Sequence, residues 1–507
     1  MTAALTAARR AADLTALADG EPVDVIVIGG GITGTGIALD AASRGLRVAL
    51  VEKHDLAFGT SRWSSKLVHG GLRYLASGNV GIARRSAIER GILMSRNAPH
   101  LVHAMPQLVP LLPSIGRAQR ALIRTGFLAG DALRMLARTP SSTLPRSRRV
   151  SPQRVVEMAP TVRRKGLDGG LLAYDGQLID DARLVVAVAR TAAQQGARIL
   201  TYVAASEATG TSVRLTDRRT GESFDVSAGA VINAAGVWAG EIDSSLRLLP
   251  SRGTHLVFDA KVFGNLTAAL TIPIPGELNR FVFAMPEQLG RVYLGLTDEA
   301  APGPIPDVPE PSSAEVAFLL DTVNTALGSA LGNTDVIGAY AGLRPLIDTG
   351  SAGFEGRTAD VSRQHAVVES ESGVISVIGG KLTEYRYMAE DVLDHAISLR
   401  RLPAVKCRTR DLPLIGARGP TAGLPASLVA RYGAEASEVI ACATCERPTE
   451  PVAQGIDVMR AEFEYAVTHE GALEVGDVVD RRTRIGLVPR DRERVVSVAQ
   501  EFLARFG

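Results

Sequence analysis

The chain has 507 residues, of which 46% are hydrophobic and 22% charged, a composition typical of a well-packed globular protein with two or three domains. This composition excludes a disordered chain, and the absence of any run of about eighteen apolar residues argues against a membrane-spanning helix. The 56 basic and 54 acidic side chains nearly cancel, so we expect no nucleic-acid partner. Three cysteines are too few for a disulfide framework and indicate a reducing, cytosolic compartment.

Residues 1–23 are an Ala-rich segment that contains Arg9 and Arg10 and could imitate a signal peptide. However, Asp13 and Asp19 interrupt its apolar stretch, and the segment runs almost directly into the first predicted strand. We therefore predict a short helical extension packed on the first domain, rather than a targeting segment.

A strand, a glycine-rich turn, a helix and a second strand begin the first domain. Residues 25–28 form a β-branched run of the kind that is buried on both faces of a parallel sheet. The turn Gly29-Gly30-Gly31-Ile32-Thr33-Gly34 follows at once. The pattern then predicts a helix over 35–43 and a second strand over 47–51, directly followed by Glu52.

Each part of this unit suits a bound dinucleotide. Gly29 permits the tight turn, Gly31 lets a pyrophosphate approach the backbone, and Gly34 lets the helix pack closely on the strand. The N-terminus of the helix stabilises the phosphates, and Glu52 can accept a hydrogen bond from a ribose hydroxyl. The unit therefore predicts a dinucleotide-binding domain.

The loop after the second strand favours FAD over a dissociable nicotinamide cofactor. Residues 59–66 and 69–75 are rich in hydroxyl groups and glycine. Such residues, placed straight after the acid that binds the ribose, suit an extended ligand that continues beyond its adenosine half. Taken alone, the same residues could also form an ordinary polar loop.

Five motifs follow one another along the chain and carry a family resemblance. They are the string from Ser64 to Leu75, Asp180-Asp181-Ala182-Arg183-Leu184, Asn233-Ala234-Ala235-Gly236-Val237-Trp238, Gly342-Leu343-Arg344-Pro345-Leu346, and the string from Gly379 to Arg386. Together they resemble the FAD-dependent glycerol-3-phosphate dehydrogenases, and Asp480-Arg481-Arg482-Thr483 extends the resemblance to the C-terminal region. Glu384 stands where the family leads us to expect threonine, and no EF-hand pattern of the calcium-regulated variant is present.

The resemblance implies oxidation of sn-glycerol 3-phosphate to dihydroxyacetone phosphate by hydride transfer to the flavin N5, with the electrons passed to a membrane quinone. Two enzyme alternatives stay open: a glycerol-3-phosphate oxidase that uses oxygen, and an amine or amino-acid oxidase of the same flavoprotein class. A third alternative is a catalytically silent flavin-binding interaction protein. The presence of Arg344, Lys381 and two candidate histidines argues against that third alternative.

The predicted fold class is α/β, with a Rossmann-like FAD-binding domain, a mainly antiparallel β substrate domain and a C-terminal helical domain. We expect the FAD-binding domain to be discontinuous and to comprise residues 24–80, 160–240 and 335–400. Residues 81–159 and 241–334 are then assigned to the substrate domain, and residues 401–507 to the C-terminal helical domain. The oligomeric state is not fixed by any motif, and a homodimer stays open.

Contacts to FAD are expected from the glycine-rich turn, from the acid after the second strand and, by resemblance, from the motif strings. The expected set is Gly29, Gly31, Ile32, Thr33, Gly34, Glu52, Lys53, Thr60, Ser61, Ser64, Ser65, Lys66, His69, Gly70, Gly71, Leu72, Ala235, Gly236, Trp238, Gly380, Lys381, Leu382 and Thr383.

A phosphate-bearing substrate calls for cationic side chains. Arg344 is the strongest candidate because Gly-Leu-Arg-Pro predicts a cramped turn in which an arginine cannot simply extend into solvent. By resemblance, Arg73, Tyr74, Arg363 and Lys381 complete the anion site. Lys381 is also expected to lie where a strand-to-helix turn meets the flavin.

Two histidines compete as the base that takes the proton of the substrate hydroxyl. His255 begins a strand of the substrate domain, whereas His69 precedes Gly70 and Gly71 in the loop on the flavin side. Histidine in general titrates near neutral pH, so either can serve. The position of His255 above the substrate favours it slightly, and His69 is then expected to orient the flavin or support the alkoxide.

No metal site is expected. Cys442 and Cys445 have the spacing of a redox or zinc motif, but no second pair and no histidine cluster accompany them. We interpret them as an incidental pair of buried thiols.

A basic segment predicts a membrane surface site. Between Arg117 and Arg149 the chain carries eight arginines and one acid, Asp131. On a helical projection of residues 117–138 the arginines fall within an arc of roughly 100°, and this arc is expected to face outward. Leu122, Ala129, Leu133 and Leu136 are expected on the opposite, buried side. With the resemblance, this pattern predicts peripheral attachment to the anionic inner face of the cytoplasmic membrane.

Overall fold

A parallel sheet carries the glycine-rich turn near the N-terminus. The computed structural model describes residues 2–71, 79–277, 280–347 and 364–507. In it, β1 (Val23–Ile28) pairs with β2 (Val48–Glu52) on one side and with β10 (Ser223–Asn233) on the other. Next to these lie β7 (Arg198–Thr201) beside β2, β18 (Ile375–Ile378) beside β10, and the antiparallel edge strand β17 (Ala366–Glu369).

Both faces of this sheet are covered, which explains the β-branched run in β1. Three helices lie over one face, where Val25 and Val27 are buried: α2 (Ile32–Ser43), α6 (Asp181–Gln194) and α9 (Tyr385–Arg400). The other face, with Ile26 and Ile28, is covered by α1 (Ala7–Ala18) and by the hairpin of β8 (Val203–Ser206) and β9 (Ser212–Asp217). Because successive side chains of a strand point to opposite faces, each residue of this run packs in one of two cores.

A second, mainly antiparallel sheet forms the other half of the α/β core. Its strands are β3 (Leu67–Val68), β4 (Val102–Pro110), β5 (Arg148–Val150), β6 (Gly170–Leu178), β11 (Leu248–Asp259), β12 (Ala269–Pro273), β13 (Phe281–Glu287), β14 (Arg291–Gly295), β15 (Glu299–Ala300) and β16 (Val336–Ile347). They follow the order β15–β11–β14–β13–β12–β4–β6–β3, with β16 beside β11 and β5 beside β6. Its core includes residues of α5 (Pro152–Met158) and α8 (Ser313–Asn324).

Three strands lie in a different sheet from the one that their predicted domain implies. β3, β6 and β16 pair in the second sheet, although the predicted boundaries assign their residues to the FAD-binding domain. The alternation of side chains along a strand predicts that it has two faces, but not which distant strand becomes its partner. The pairing matters for the site, because β16 and the segment after β3 carry two of the candidate side chains.

The C-terminal region is helical, and with it the predicted α/β class is confirmed. Its helices are α10 (Ala426–Tyr432), α11 (Ala436–Ala441), α12 (Arg460–Thr468), α13 (Pro489–Glu493) and α14 (Val496–Phe506). Buried ion pairs attach this region to the parallel sheet: Arg481 and Arg482 both contact Asp55 at 2.6 Å, and Arg183 contacts Glu470. Since a buried charge is costly without its partner, these pairs fix how the two parts pack together.

The remaining helices are α3 (Val80–Ile92), α4 (Arg117–Leu136) and α7 (Ala239–Ile242), and the orientation of α4 differs from the prediction. Of the residues expected on the buried side, Leu133 is buried, at 3% exposed, but Leu122 and Leu136 are 47% and 61% exposed. Leu128 and Met135 are also exposed, at 50% and 56%. The outward face of α4 is therefore apolar.

Three of the four arginines of α4 point toward the protein instead, and Arg117, at its start, is exposed. Arg134 is buried and donates to the carbonyl oxygen of Thr139 at 2.8 Å. Arg120 donates to two backbone carbonyls and pairs with Asp168 at 2.8 Å, and Arg124 donates to Ser147 at 3.0 Å. Carbonyl and hydroxyl acceptors from the segments that precede and follow the helix bind these three guanidinium groups, so they can be covered while Leu122 and Leu136 remain outside.

The described residues contain neither a membrane-spanning helix nor a cluster of metal ligands. Within the described ranges, no helix combines the length and the apolar character that crossing a bilayer requires. Nor does the described part of the chain contain a group of three or more His, Cys, Asp or Glu side chains that could hold a metal ion.

Candidate active site

A cavity of about 510 Å³ lies where the two sheets meet. Its walls include the turn after β1 and the end of β2 from the parallel sheet, and residues of β11 and β16 from the second sheet. Of the expected FAD contacts, those that line it are Gly29, Gly31, Ile32, Thr33, Glu52, Lys53, Thr60, Ser61, Ser64, Ser65, His69, Ala235, Gly236, Trp238, Gly380, Lys381, Leu382 and Thr383. His255 and Arg344 line the same cavity.

The end of the cavity near β1, which we call the nucleotide end, is shaped by glycines. Gly29 has φ +115, and a Cβ placed on it would lie 2.5 Å from the carbonyl oxygen of Ala234. A Cβ on Gly34 would collide with the carbonyl oxygen of Gly29, so α2 can approach β1 this closely only without a side chain there. Gly34 therefore shapes the cavity from behind and does not line it.

Two side chains hold the glycine-rich turn in place. Both carboxylate oxygens of Glu52 accept backbone hydrogen bonds, from Gly30 at 2.6 Å and from His54 at 2.8 Å. Burial raises the pKa of Glu52, and these two N–H donors oppose that effect. The hydroxyl of Ser61 accepts from the N–H of Ile32 at 2.9 Å, at the start of α2.

These residues fit the dinucleotide half of FAD. A side-chain-free turn lets phosphates approach the backbone, a helix begins directly behind it, and a carboxylate closes the next strand. The same cavity is also lined by Trp238, Thr60, His255 and Lys381, so one extended cofactor can contact both the turn and these side chains.

Three residues expected to contact FAD do not line the cavity. The side chain of Lys66 is 1% exposed and does not line the cavity, because its ammonium binds Asp181 at 3.0 Å and the carbonyls of Arg62 and Ser64. Gly70 and Gly71 also lie outside the lining; a Cβ on Gly70 would collide with Arg90, and one on Gly71 would lie 2.7 Å from the backbone of Ala83. These two glycines allow the loop to pack on α3.

Four predicted site residues lie outside the described residues: Leu72, Arg73, Tyr74 and Arg363. The predictions for their contacts with FAD and phosphate stay predictions.

His255 lies on β11 at the other end of the cavity, which we call the substrate end. Its Nε2 is 2.9 Å from the hydroxyl of Ser65, and its ring stacks on Tyr340 at 4.7 Å. Its buried Nδ1 finds no hydrogen-bond partner among the described residues. Burial lowers the pKa of His255 well below the ordinary value, and the cations Lys66 and Arg344 lower it further.

Arg344 lies inside a strand rather than in the cramped turn that its motif predicts. Residue 344 of β16 pairs with Ser251 of β11. Its guanidinium donates to the Ser251 hydroxyl at 3.3 Å and pairs with Asp298 at 3.4 Å. A Cβ on Gly253 would collide with this guanidinium, so the glycine leaves the space in which Arg344 reaches the cavity.

His69 follows β3 and pairs with a half-buried acid that the sequence analysis missed. Its Nδ1 lies 3.1 Å from Asp175 of β6, and Arg90 of α3 binds the same carboxylate at 2.6 Å. Burial alone would raise the pKa of Asp175, but Arg90 and His69 outweigh it and hold that pKa below the ordinary value. The pairing of β3 with β6 creates this contact, and no sequence motif at residue 175 predicts it.

Lys381 follows β18 and is also held from α3. Its Nζ lies 2.6 Å from the hydroxyl of Ser86 and 3.0 Å from Glu384. α3 thus contacts both the His69 and the Lys381 sides of the cavity, through Arg90 and Ser86. The sequence analysis assigned no site residue to this helix, because nothing in its pattern distinguishes it from an ordinary amphipathic segment.

Comparisons with known proteins agree with this geometry. Residues 24–386 match the family described as FAD dependent oxidoreductase, and residues 407–505 match the C-terminal domain of alpha-glycerophosphate oxidase. The chain is 82% identical to Glycerol-3-phosphate dehydrogenase 1 of Mycobacterium tuberculosis over 99% of both chains. It is 34% identical to Glycerol-3-phosphate dehydrogenase 2 of the same species, over 92% of this chain and 82% of the relative.

Solved structures show the same fold. The glycerol-3-phosphate dehydrogenase from Bacillus halodurans, complexed with FAD, superposes with a TM-score of 0.74 at 28% identity, over 98% of this chain and 94% of that one. The L-alpha-glycerophosphate oxidase from Mycoplasma pneumoniae, with FAD bound, superposes with a TM-score of 0.57 at 17% identity, over 78% and 99% of the two chains.

Proposed function

The chain belongs to the FAD-dependent glycerol-3-phosphate dehydrogenase family, and from this membership we propose that it oxidises sn-glycerol 3-phosphate to dihydroxyacetone phosphate. Its cofactor is FAD. The observation that carries the proposal is that one cavity joins a dinucleotide cradle to an end with Arg344, Lys381 and His69. A phosphate-bearing alcohol is the kind of substrate that such a cationic end would bind.

Arg344 and Lys381 are proposed to bind the substrate phosphate. Arg344 is held by Ser251 and Asp298, and Lys381 by Ser86 and Glu384, so both cations are oriented before the substrate arrives. FAD, when bound, supplies the acceptor for the hydride that leaves the carbinol carbon. A substrate bound through its phosphate excludes water from the cavity, and this strengthens the interactions of the phosphate with Arg344 and Lys381.

His69 is proposed as the base that takes the hydroxyl proton. Its Nδ1 faces Asp175, so its Nε2 is left to accept a proton, as a carboxylate-oriented imidazole does in other enzymes. His255 competes less well, because it is buried, its Nε2 contacts Ser65 and its pKa is strongly lowered. We propose that His255 and Ser65 instead hydrogen-bond the substrate oxygen or hold the loop around it.

One anaerobic experiment tests the reaction. Glycerol 3-phosphate should bleach the flavin of the purified protein, whereas sarcosine should not; bleaching by sarcosine alone would favour an amine oxidase.

Arg344→Ala should lose at least about 1.5–3 kcal/mol of binding to the phosphate in the transition state, or one to two decades of kcat/KM, with FAD retained. Arg154→Ala, at an exposed side chain of α5, is the control. An unchanged kcat/KM in Arg344→Ala would contradict the proposed role.

We propose that the reduced FAD passes its electrons to a membrane quinone. The enzyme would then lie at the inner face of the cytoplasmic membrane. Reoxidation of the bleached protein tests the acceptor. A quinone analogue should restore the colour faster than air; faster reoxidation by air would favour the oxidase alternative.

The outward face of α4 is the proposed membrane contact. Leu122, Leu128, Met135 and Leu136 are exposed there, and Arg117 at the start of α4 and Arg138 just beyond its end are exposed as well. Apolar side chains bordered by cations suit an anionic lipid surface, with the leucines in the acyl boundary and the arginines at the headgroups. This assigns the lipid contact to the leucine face, and not to the arginine arc that the sequence predicts to face outward.

Vesicle cosedimentation tests this surface. The protein should bind anionic vesicles at low salt, and Leu122→Gln, Leu128→Gln and Met135→Gln together should abolish binding. Val308→Gln, Leu399→Gln and Val405→Gln, equally exposed elsewhere, form the matched control. Exchange of Arg120, Arg124 and Arg134 is unsuitable, because their internal hydrogen bonds would be lost. If the first triple variant instead converts a dimer to a monomer without changing vesicle binding, the face is a homodimer contact.

A further inference from the structure

The lysine at the substrate end of the cavity has a buried counter-charge. The ammonium of Lys381 lies 3.0 Å from a carboxylate oxygen of Glu384 and 2.6 Å from the hydroxyl of Ser86. Ser86 also donates to Glu384, so the three side chains form a closed triangle, which we call the Lys381 cluster. Ser86 comes from α3 and the other two residues from the segment after β18.

Burial strengthens the electrostatic interactions between the charges of this cluster. Ser86 is fully buried, Glu384 is 3% exposed, and Lys381 lines the cavity with a side chain that is 16% exposed. Charges interact strongly where little water screens them. Glu384 stands where the family resemblance leads us to expect threonine, so this chain places a negative charge behind the cavity lysine that a threonine would not supply.

We propose that Glu384 offsets the positive charge that Lys381 presents to the flavin ring, and that it thereby lowers the reduction potential of FAD. The two-electron-reduced ring is richer in negative charge than the oxidised ring, so a nearby cation stabilises the reduced form. A carboxylate in contact with that cation cancels part of this stabilisation. Glu384 acts through Lys381 and is therefore a positioning residue that sets the charge of the site.

This inference rests on the expectation that Lys381 lies where a strand-to-helix turn meets the flavin, but not on the substrate. The potential of bound FAD can be measured without glycerol 3-phosphate. Failure to oxidise that substrate would therefore overturn the proposed function and leave the result on Glu384 standing.

The decisive measurement is the midpoint potential of FAD in the intact protein, by anaerobic titration against redox dyes. Glu384→Gln keeps the shape of the side chain and an acceptor for Ser86, and removes only the charge. The potential should become more positive, with the reduced form favoured about tenfold, or about 30 mV for a two-electron couple. Glu384→Thr should shift the potential in the same direction and serves as the second variant if the glutamine protein does not fold.

Glu89→Gln is the matched control. Glu89 lies on α3 one turn from Ser86, is as buried as Glu384, and pairs with Arg386 at 2.7 Å away from the cavity lining. It should lower the thermal stability, as Glu384→Gln does, but leave the potential unchanged. A merely structural role for Glu384 would make the two variants behave alike.

Lys381→Met completes the test, because it removes the cation on which Glu384 acts. Its potential should become more negative than that of the wild type; no shift would mean that Lys381 does not act on the ring, and the proposal would be overturned. An unchanged or more negative potential in a folded, FAD-loaded Glu384→Gln protein would overturn it as well. As a second readout, inorganic phosphate should bind Glu384→Gln more tightly than the wild type, detected as a change in flavin absorbance.

Discussion

At the nucleotide end of the cavity the backbone shapes the site, whereas at the substrate end charged side chains do. The glycine-rich turn, Glu52 and Ser61 all lie within one short stretch of chain. His69, His255, Arg344 and Lys381 come from four distant segments, and each is held by a partner from another element. A local site depends on which residues follow one another, and an assembled site depends on how strands pair.

Gly34→Ala should have the largest effect, because it breaks the nucleotide end. The added Cβ would collide with the carbonyl oxygen of Gly29, and backbone cannot move aside as a side chain can. We expect loss of FAD, measured as flavin released and retained per chain after purification. Gly81→Ala, on α3 with nothing near its added Cβ, should retain the flavin. Full FAD retention in Gly34→Ala would contradict the packing argument.

The contrast between the ends explains what the sequence could predict. The βαβ unit and its roles follow from local spacing, because one strand, one turn and one helix fix the geometry. Asp175 and Ser86 could not be predicted, since only the pairing of β3 with β6 and the docking of α3 bring them to His69 and Lys381.

The orientation of α4 was predicted wrongly although its local pattern was clear, because long side chains find partners outside the helix. The projection of α4 correctly separates its arginines from Leu122 and Leu136, but it assigns the arginines to the outside. Carbonyl acceptors supplied by neighbouring segments decide that the arginines face inward, and these acceptors are invisible in the helical pattern. The motif around Arg344 predicts a turn for a similar reason, because its strand is defined only by pairing with β11.

Asp175→Asn should have the next largest effect, and it tests whether assembly of the substrate end matters. The amide cannot hold His69 in the tautomer that leaves Nε2 free, so kcat/KM should fall about 100-fold with FAD still bound. Asp168→Asn, which alters an exposed carboxylate paired with Arg120, is the control in the same steady-state assay. A fall of less than threefold in Asp175→Asn would remove the support for His69 as the base.

Gly253→Ala probes a place where a glycine shapes the substrate end. Its Cβ would push the Arg344 guanidinium away from its present position, without removing the charge. Displacement of a phosphate-binding group by a fraction of an ångström should reduce kcat/KM about tenfold, mainly through KM. Gly332→Ala, with open space around the added methyl, should behave as the wild type. Wild-type kinetics in Gly253→Ala would mean that phosphate binding does not depend on the present position of the Arg344 guanidinium.

Ser61→Ala should have a smaller effect, at the nucleotide end. It removes the acceptor for the N–H of Ile32, a single hydrogen bond at the start of α2. Loss of one such bond costs about 1 kcal/mol, so the Kd for FAD should rise about fivefold in an equilibrium titration of apoprotein. Ser437→Ala, on an exposed segment of the C-terminal region, is the control. A loss of FAD as complete as in Gly34→Ala would show that side chains matter here as much as backbone.

His255→Asn should leave the shape of the pH profile unchanged, although the rate falls. Burial, with Lys66 and Arg344, lowers the pKa of His255, so its ring stays neutral as the pH falls from neutral into the mildly acidic range. A group that does not change charge in this range cannot produce the acidic limb of kcat/KM, and the variant should keep the same limb. Disappearance of the limb in His255→Asn would assign the titrating base to His255, and the dyad of His69 and Asp175 would then serve only to hold the loop after β3.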